Sequence, residues 1–125
     1  MSAQVLGFDH LSVLVADAEK ALAFYQEILG LQTVDRPNLG FPGYWLDLQN
    51  GQTIHLMQLN NPYTDIERPE HGGRDFHFAL RVKALDAFVE QLEQRGLPFT
   101  QSKSGRKALF FKDLDNNVIE LYQTV

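Results

Sequence analysis

Four side chains able to bind a metal stand at matching points of a chain that nearly repeats itself. His10 lies in Phe8-Asp9-His10-Leu11-Ser12-Val13, and His77 lies at the equivalent place in Asp75-Phe76-His77-Phe78-Ala79-Leu80. His55 lies in Thr53-Ile54-His55-Leu56, and Glu120 follows in Val118-Ile119-Glu120-Leu121 at almost the same offset. Imidazole nitrogens and a carboxylate, with no sulfur among them, suit a borderline divalent cation: Zn, Ni, Co, Mn or Fe(II). Four protein donors in an octahedral shell leave two positions for water or for substrate oxygens, and such an ion polarises a carbonyl. A ligating carboxylate can also leave the ion and take a proton from an adjacent carbon, so Glu120 is both a ligand and the candidate base. If His55 does not ligate, the remainder is the two-His-one-carboxylate triad of non-haem iron enzymes.

A single histidine on a mixed strand face is more often a surface or hydrogen-bonded residue than a ligand. A lone glutamate is usually solvated. The joint pattern outweighs both readings, because three of the four histidines fall at repeat-equivalent strand positions on the same side. The fourth, His71, sits in a Pro/Gly-rich connection, and loops often carry binding residues. His71 is therefore a candidate for touching substrate. Arg68, Arg74, Arg106 and Lys107 are candidates for holding an anionic group, although a basic loop such as Ser102–Lys107 is more often a solvated turn.

The elements that must position these residues come in two similar sets. Residues 7–15 alternate and are rich in β-formers, which predicts a strand. Asp17 is a suitable N-cap for a helix over 18–29, with Ala21, Leu22, Tyr25, Ile28 and Leu29 on one face and Gly30 as the left-handed stop. A short strand over 31–35 follows, then a hairpin of 44–48 with 52–58 across Asn50-Gly51. The second set has a strand over 76–82, a poorly capped helix over 84–95 ended by Gly96, and strands over 97–100, 108–111 and 117–122. The fold class is thus α+β: two βαβββ modules, about 5–59 and 75–123, joined by a linker over 60–74 and read as one domain. Alternation puts Leu11, Val13 and Val15 on one face of the first strand, and Phe76, Phe78, Leu80 and Val82 on one face of the fifth. These apolar faces are natural seats for the helices. The four candidate ligands lie on the opposite faces, which would line a cavity if the sheets curve.

Bulk properties narrow the classes. A chain of 125 residues with 44% hydrophobic and 22% charged residues is ordinary for a soluble globular protein. A net charge of −5 argues against a nucleic-acid partner. The absence of cysteine removes thiol catalysis, thiolate metal sites and disulfides together. No basic-then-apolar leader and no bilayer-length apolar run are present, so a cytoplasmic protein away from membranes is expected.

These residues carry a family resemblance over 7–123. Asp9-His10-Leu11-Ser12-Val13, the helix Ala23-Phe24-Tyr25-Gln26-Glu27-Ile28-Leu29-Gly30-Leu31, Phe76-His77-Phe78-Ala79 and the closing run Phe111 to Leu121 together resemble the vicinal oxygen chelate superfamily. Glyoxalase I, extradiol dioxygenases, fosfomycin-resistance thiol transferases, methylmalonyl-CoA epimerase and bleomycin-sequestering proteins belong to it. The resemblance implies curved mixed sheets around a metal cavity, and a homodimer in which His10 and His55 of one subunit meet His77 and Glu120 of the other. The sequence leaves pairing within one chain equally open. The activity it implies is a glyoxalase-like lyase or isomerase reaction on a small oxygen-chelating substrate. The alternatives are a metal-dependent transferase using a thiol cosubstrate and a non-catalytic ligand-sequestering protein. Departures bear on the choice: glyoxalase I usually has glutamate where His55 stands, and fosfomycin transferases typically have tyrosine where Phe110 stands.

Overall fold

The computed structural model describes residues 2–124. The chain divides between Asn60 and Asn61 into two compact units. Each is built around a four-stranded mixed sheet and one α-helix.

In the first unit the strands are β1 (His10–Leu14), β2 (Gln32–Val34), β3 (Gly43–Asp47) and β4 (Thr53–Met57), in the order β1-β4-β3-β2. β1 runs parallel to β4, and helix α1 (Ala18–Leu29) lies in the connection that follows β1. α1 starts where the Asp17 carboxylate accepts the Lys20 N–H at 3.0 Å. It stops where Gly30 takes a left-handed φ of 68° and donates its N–H to Gln26. Ala18, Ala21, Phe24, Tyr25 and Ile28 form its buried face. Leu46, Ile54 and Leu56 are fully buried, whereas Trp45, Thr53, His55 and Met57 of the same strands are only half-buried. The alternation expected for β3 and β4 is therefore present, with one face in the core and the other open.

The second unit repeats the plan with β5 (His77–Val82), β6 (Phe99–Gln101), β7 (Ala108–Lys112) and β8 (Val118–Gln123), ordered β5-β8-β7-β6. Helix α2 (Leu85–Gln94) follows β5, and β5 runs parallel to β8. The predicted lack of a side-chain cap is real: Ala84 stands at the N-cap with a left-handed φ of 54° and bonds no helix N–H through its side chain. A residue distant in sequence compensates, since Gln123 Oε1 accepts the Leu85 N–H at 2.8 Å. The first unit has the same device, Gln58 Oε1 accepting the Ala18 N–H at 2.9 Å. The two glutamines are related by the same offset as His55 and Glu120.

Three expectations need correction. The first strand begins at His10 rather than residue 7, because the β4 ladder begins at Thr53 opposite His10 and offers residues 7–9 no partner. Phe76 is 92% exposed instead of seated under the second helix, since β5 begins one residue later. The face of β8 that carries Glu120 is not open either. Val118, Ile119, Glu120 and Leu121 are all buried, as are Ala108 to Phe111 of β7. The linker ends in a 3₁₀ turn, Gly72–Arg74, that covers this face so closely that a Cβ on Gly72 would stand 2.6 Å from Val118 and 2.8 Å from Phe110. Among the described residues no helix is long and apolar enough to cross a membrane.

Candidate metal-binding site

The parallel pairing of β5 with β8 brings two of the candidate ligands together. His77 lies opposite Val118 and Ala79 opposite Glu120, so His77 and Glu120 are diagonal neighbours on one face. Their terminal atoms, Nε2 and Oε1, are 3.3 Å apart. His77 Nδ1 lies 2.8 Å from the Asp75 carbonyl oxygen, which can only accept, so Nδ1 carries the proton. Nε2 then has its lone pair directed toward the glutamate's side. Two donors bound to one ion at about 2.1 Å sit about 3.0–3.4 Å from each other, depending on coordination geometry. The observed spacing falls within that window, and Glu120 is itself buried.

The equivalent pair in the first unit is arranged differently. β1 and β4 place His10 opposite Thr53 and Ser12 opposite His55. The Asp9 carboxylate accepts from His10 Nδ1 at 2.7 Å, which again leaves Nε2 as the free donor atom, the orientation a carboxylate imposes on metal-binding histidines. The His10 and His55 rings stack at 4.0 Å, and His55 stacks on Trp45 at 4.2 Å on its other side. Lone pairs lie in the ring plane. Parallel rings cannot both aim at an ion between them unless one turns, and His55, also bonded through Nε2 to Thr53 at 2.9 Å, is the more constrained. Burial lowers the His55 pKa from the ordinary histidine value, and the His10 ring pushes the same way, so the neutral, ligand-competent form is favoured.

Among the described residues no three His, Asp or Glu side chains are gathered so as to hold an ion. The candidate ligands come as pairs, one to each unit.

The cationic candidates separate clearly. Arg68 is engaged within the chain, its Nε donating to the Asp75 carboxylate at 2.7 Å. Lys107 is exposed and does not line the cleft beside the ligands. His71, Arg74 and Arg106 do line that cleft, a space of about 260 Å³ whose wall includes His77 and Glu120. His71 Nδ1 lies 2.8 Å from Thr100 Oγ1, and the Phe110 ring stands edge-on to both His71 and His77. Arg106 lies over the Tyr122 ring at 3.9 Å. Ser102, Lys103 and Ser104 share the cleft, and nothing in their types or spacing marks them individually. Trp45 is a further residue that local pattern does not reveal. It stands to Phe110 as His55 stands to Glu120, so applying the repeat offset to every aromatic finds it.

This fold matches a known class. The model of the Glyoxalase/Bleomycin resistance protein/Dioxygenase superfamily fits residues 7–121, and the chain belongs to that superfamily. The protein YwkD of Bacillus subtilis is 31% identical over 121 residues, spanning 91% of this chain and 94% of its own, and is itself uncharacterised. A glyoxalase-family protein of Bacillus anthracis has a structure matching with a TM-score of 0.78 at 24% identity over 100% of both chains. The fosfomycin resistance protein FosX of Listeria monocytogenes, solved with Mn(II) and 1S,2S-dihydroxypropylphosphonic acid, matches with a TM-score of 0.74. Its identity is 21%, with coverage of 98% of this chain and 95% of that one, a likeness of fold.

Proposed function

We propose that this chain is a divalent-metal-dependent glyoxalase-like enzyme acting on a small oxygen-chelating substrate. The observation that carries the reading is the His77–Glu120 pair: one nitrogen freed by its tautomer on an exposed strand edge and one buried carboxylate oxygen, 3.3 Å apart. His10, with Nε2 freed by Asp9, is the third ligand. His55 is the fourth, and it joins the shell only if its ring turns away from His10. When bound, the ion would be Zn, Ni, Co, Mn or Fe(II) and would polarise an oxygen of the substrate.

The remaining work falls to the chain's own residues. Glu120, as carboxylate, accepts a proton from the carbon next to the chelating oxygen and returns it elsewhere on the product, a lyase or isomerase outcome. Phe110 and the turn Gly72–Arg74 keep water from its flanks. His71, Arg74 and Arg106 hold the polar end of the substrate.

The two donors of a single unit fall short of the four-ligand shell, so this reading requires the pairs to converge. Convergence between two copies is the reading favoured by the surfaces: β1 and β5 are edge strands, and Val5, Leu6, Phe8 and Phe76 beside them are about nine-tenths exposed. Such apolar edges ordinarily find a partner. A homodimer is expected by light scattering, and a monomer at all concentrations would count against shared sites.

The decisive experiment is elemental analysis of tag-free protein beside His10→Ala, His77→Ala and Glu120→Ala. About one divalent ion per chain, lost in the variants, supports the reading. Wild-type protein that contains no ion and takes none up on titration overturns it.

A further inference from the structure

The cleft beside Glu120 carries a charge that the rest of the chain does not lead one to expect. The protein as a whole has a formal charge of −5, yet Arg74, Lys103 and Arg106 converge on about 260 Å³ in which Glu120 is the one carboxylate among the described residues. Ser102 and Ser104 add hydroxyls, and His71 adds an imidazole. Several of these groups are tied by contacts within the chain. Arg106 is laid over Tyr122, and His71 is tethered to Thr100. Ser102 and Ser104 are joined through their Oγ atoms at 2.8 Å, with the Ser104 N–H also donating to Ser102 Oγ. Backbone bonds from Ser102 N–H to the Ala108 carbonyl and from Gln123 N–H to the Lys107 carbonyl close the loop at its base.

We infer that this cleft is an oxyanion subsite, and that the substrate carries a compact, multiply charged group of the phosphate kind beside its chelating oxygens. The inference rests on the metal-enzyme reading only for the second half of that statement; the subsite itself needs no metal. Three cations against one carboxylate leave a net positive field that a single carboxylate would not neutralise. Two guanidinium forks, an ammonium and two hydroxyls also offer more donors than two carboxylate oxygens can accept, whereas a tetrahedral oxyanion presents three or more oxygens. The cleft volume lies just below the range of drug-sized ligand pockets, which favours a small anionic head over a bulky one.

The test is calorimetric titration of the full chain with inorganic phosphate at constant ionic strength, with acetate as the singly charged comparison. Metal-free and metal-loaded protein are both titrated. Saturable phosphate binding is expected in both forms, tighter than acetate. Arg106→Gln and Lys103→Gln should each weaken it about tenfold, as expected for loss of one charge-assisted partner. Lys83→Gln, an exposed lysine away from the cleft, should leave it unchanged. Lys103 is exposed, so its variant keeps the test decisive even if Arg106→Gln loses its packing on Tyr122 and folds poorly. Absence of saturation, acetate binding as tightly as phosphate, or undiminished binding in Lys103→Gln overturns the inference. So does phosphate binding that appears only with metal and survives both substitutions, because the anion would then sit on the ion. Phosphate binding in a protein that takes up no metal would sustain the subsite while removing the metal-enzyme reading.

Discussion

His10 with His55, and His77 with Glu120, occupy the same frame in two units, with Trp45 and Phe110 as matching aromatic neighbours and Gln58 and Gln123 as matching helix supports. Around that frame the chemistry has diverged. The first unit offers two stacked imidazole rings, an exposed His10 and an open sheet face. The second offers a buried carboxylate under a seated 3₁₀ turn, with three cations round the adjoining cleft. The architecture thus tolerates both arrangements. On the proposed reading, the first unit contributes metal-binding nitrogens alone, while the second contributes a nitrogen, the base and the grip on substrate.

The contrast between the two units turns most directly on Glu120. Glu120→Gln keeps the shape of the side chain but removes the base and the anionic ligand. It should reduce turnover of a substrate, once found, by at least about a hundredfold, while His55→Gln reduces it far less. Equal losses would mean that the two units are not specialised as described. Metal content sharpens the same point: His77→Ala should empty the site, whereas His55→Ala should retain a measurable share of the ion.

The helix starts give a smaller contrast, read from chemical denaturation. Asp17→Ala should destabilise by about 1 kcal/mol through loss of a side-chain cap. Ala84→Gly should be neutral or stabilising by up to about 1 kcal/mol, because it relieves a left-handed alanine whose side chain supplies no cap. Gln58→Ala and Gln123→Ala should each cost about 1 kcal/mol, and unequal costs would show that the duplicated support is not used alike.

The weakest expected effect is on pH. The folded His55 pKa lies below its unfolded value, so the unfolded chain takes up its proton first as pH falls. The contribution is therefore present above about pH 6.5 and is lost progressively below it. Melting of metal-free protein should show this slope, and His55→Gln should flatten it. An unchanged slope in that variant would place its origin elsewhere.

What was legible in the sequence follows the range of the interactions. α1 could be placed over 18–29 because its signals are local: Asp17 just ahead of the N–H it caps, Gly30 at the stop, and apolar spacing between. The repeat offset likewise marked four residues, which the sheets bring together as His10 with His55 in one unit and His77 with Glu120 in the other. Distant partners carried no such signature. Nothing near Leu85 announces that Gln123 will take its N–H, and nothing near Arg68 announces that Asp75 will occupy it rather than a substrate. Lys103 was indistinguishable from Lys107 by composition, and only the path of the loop puts the first in the cleft and the second outside it.

The glutamine supports have a bearing on how the protein is made. Each helix obtains the acceptor for its first N–H from the far end of its own unit, at Gln58 for α1 and Gln123 for α2. As the chain emerges from a ribosome, α1 can be completed while the second unit is still being synthesised. α2 has to wait for β8. With neither a side-chain cap nor a relaxed backbone at Ala84, the start of α2 stays unfinished until the last strand of its unit has been made.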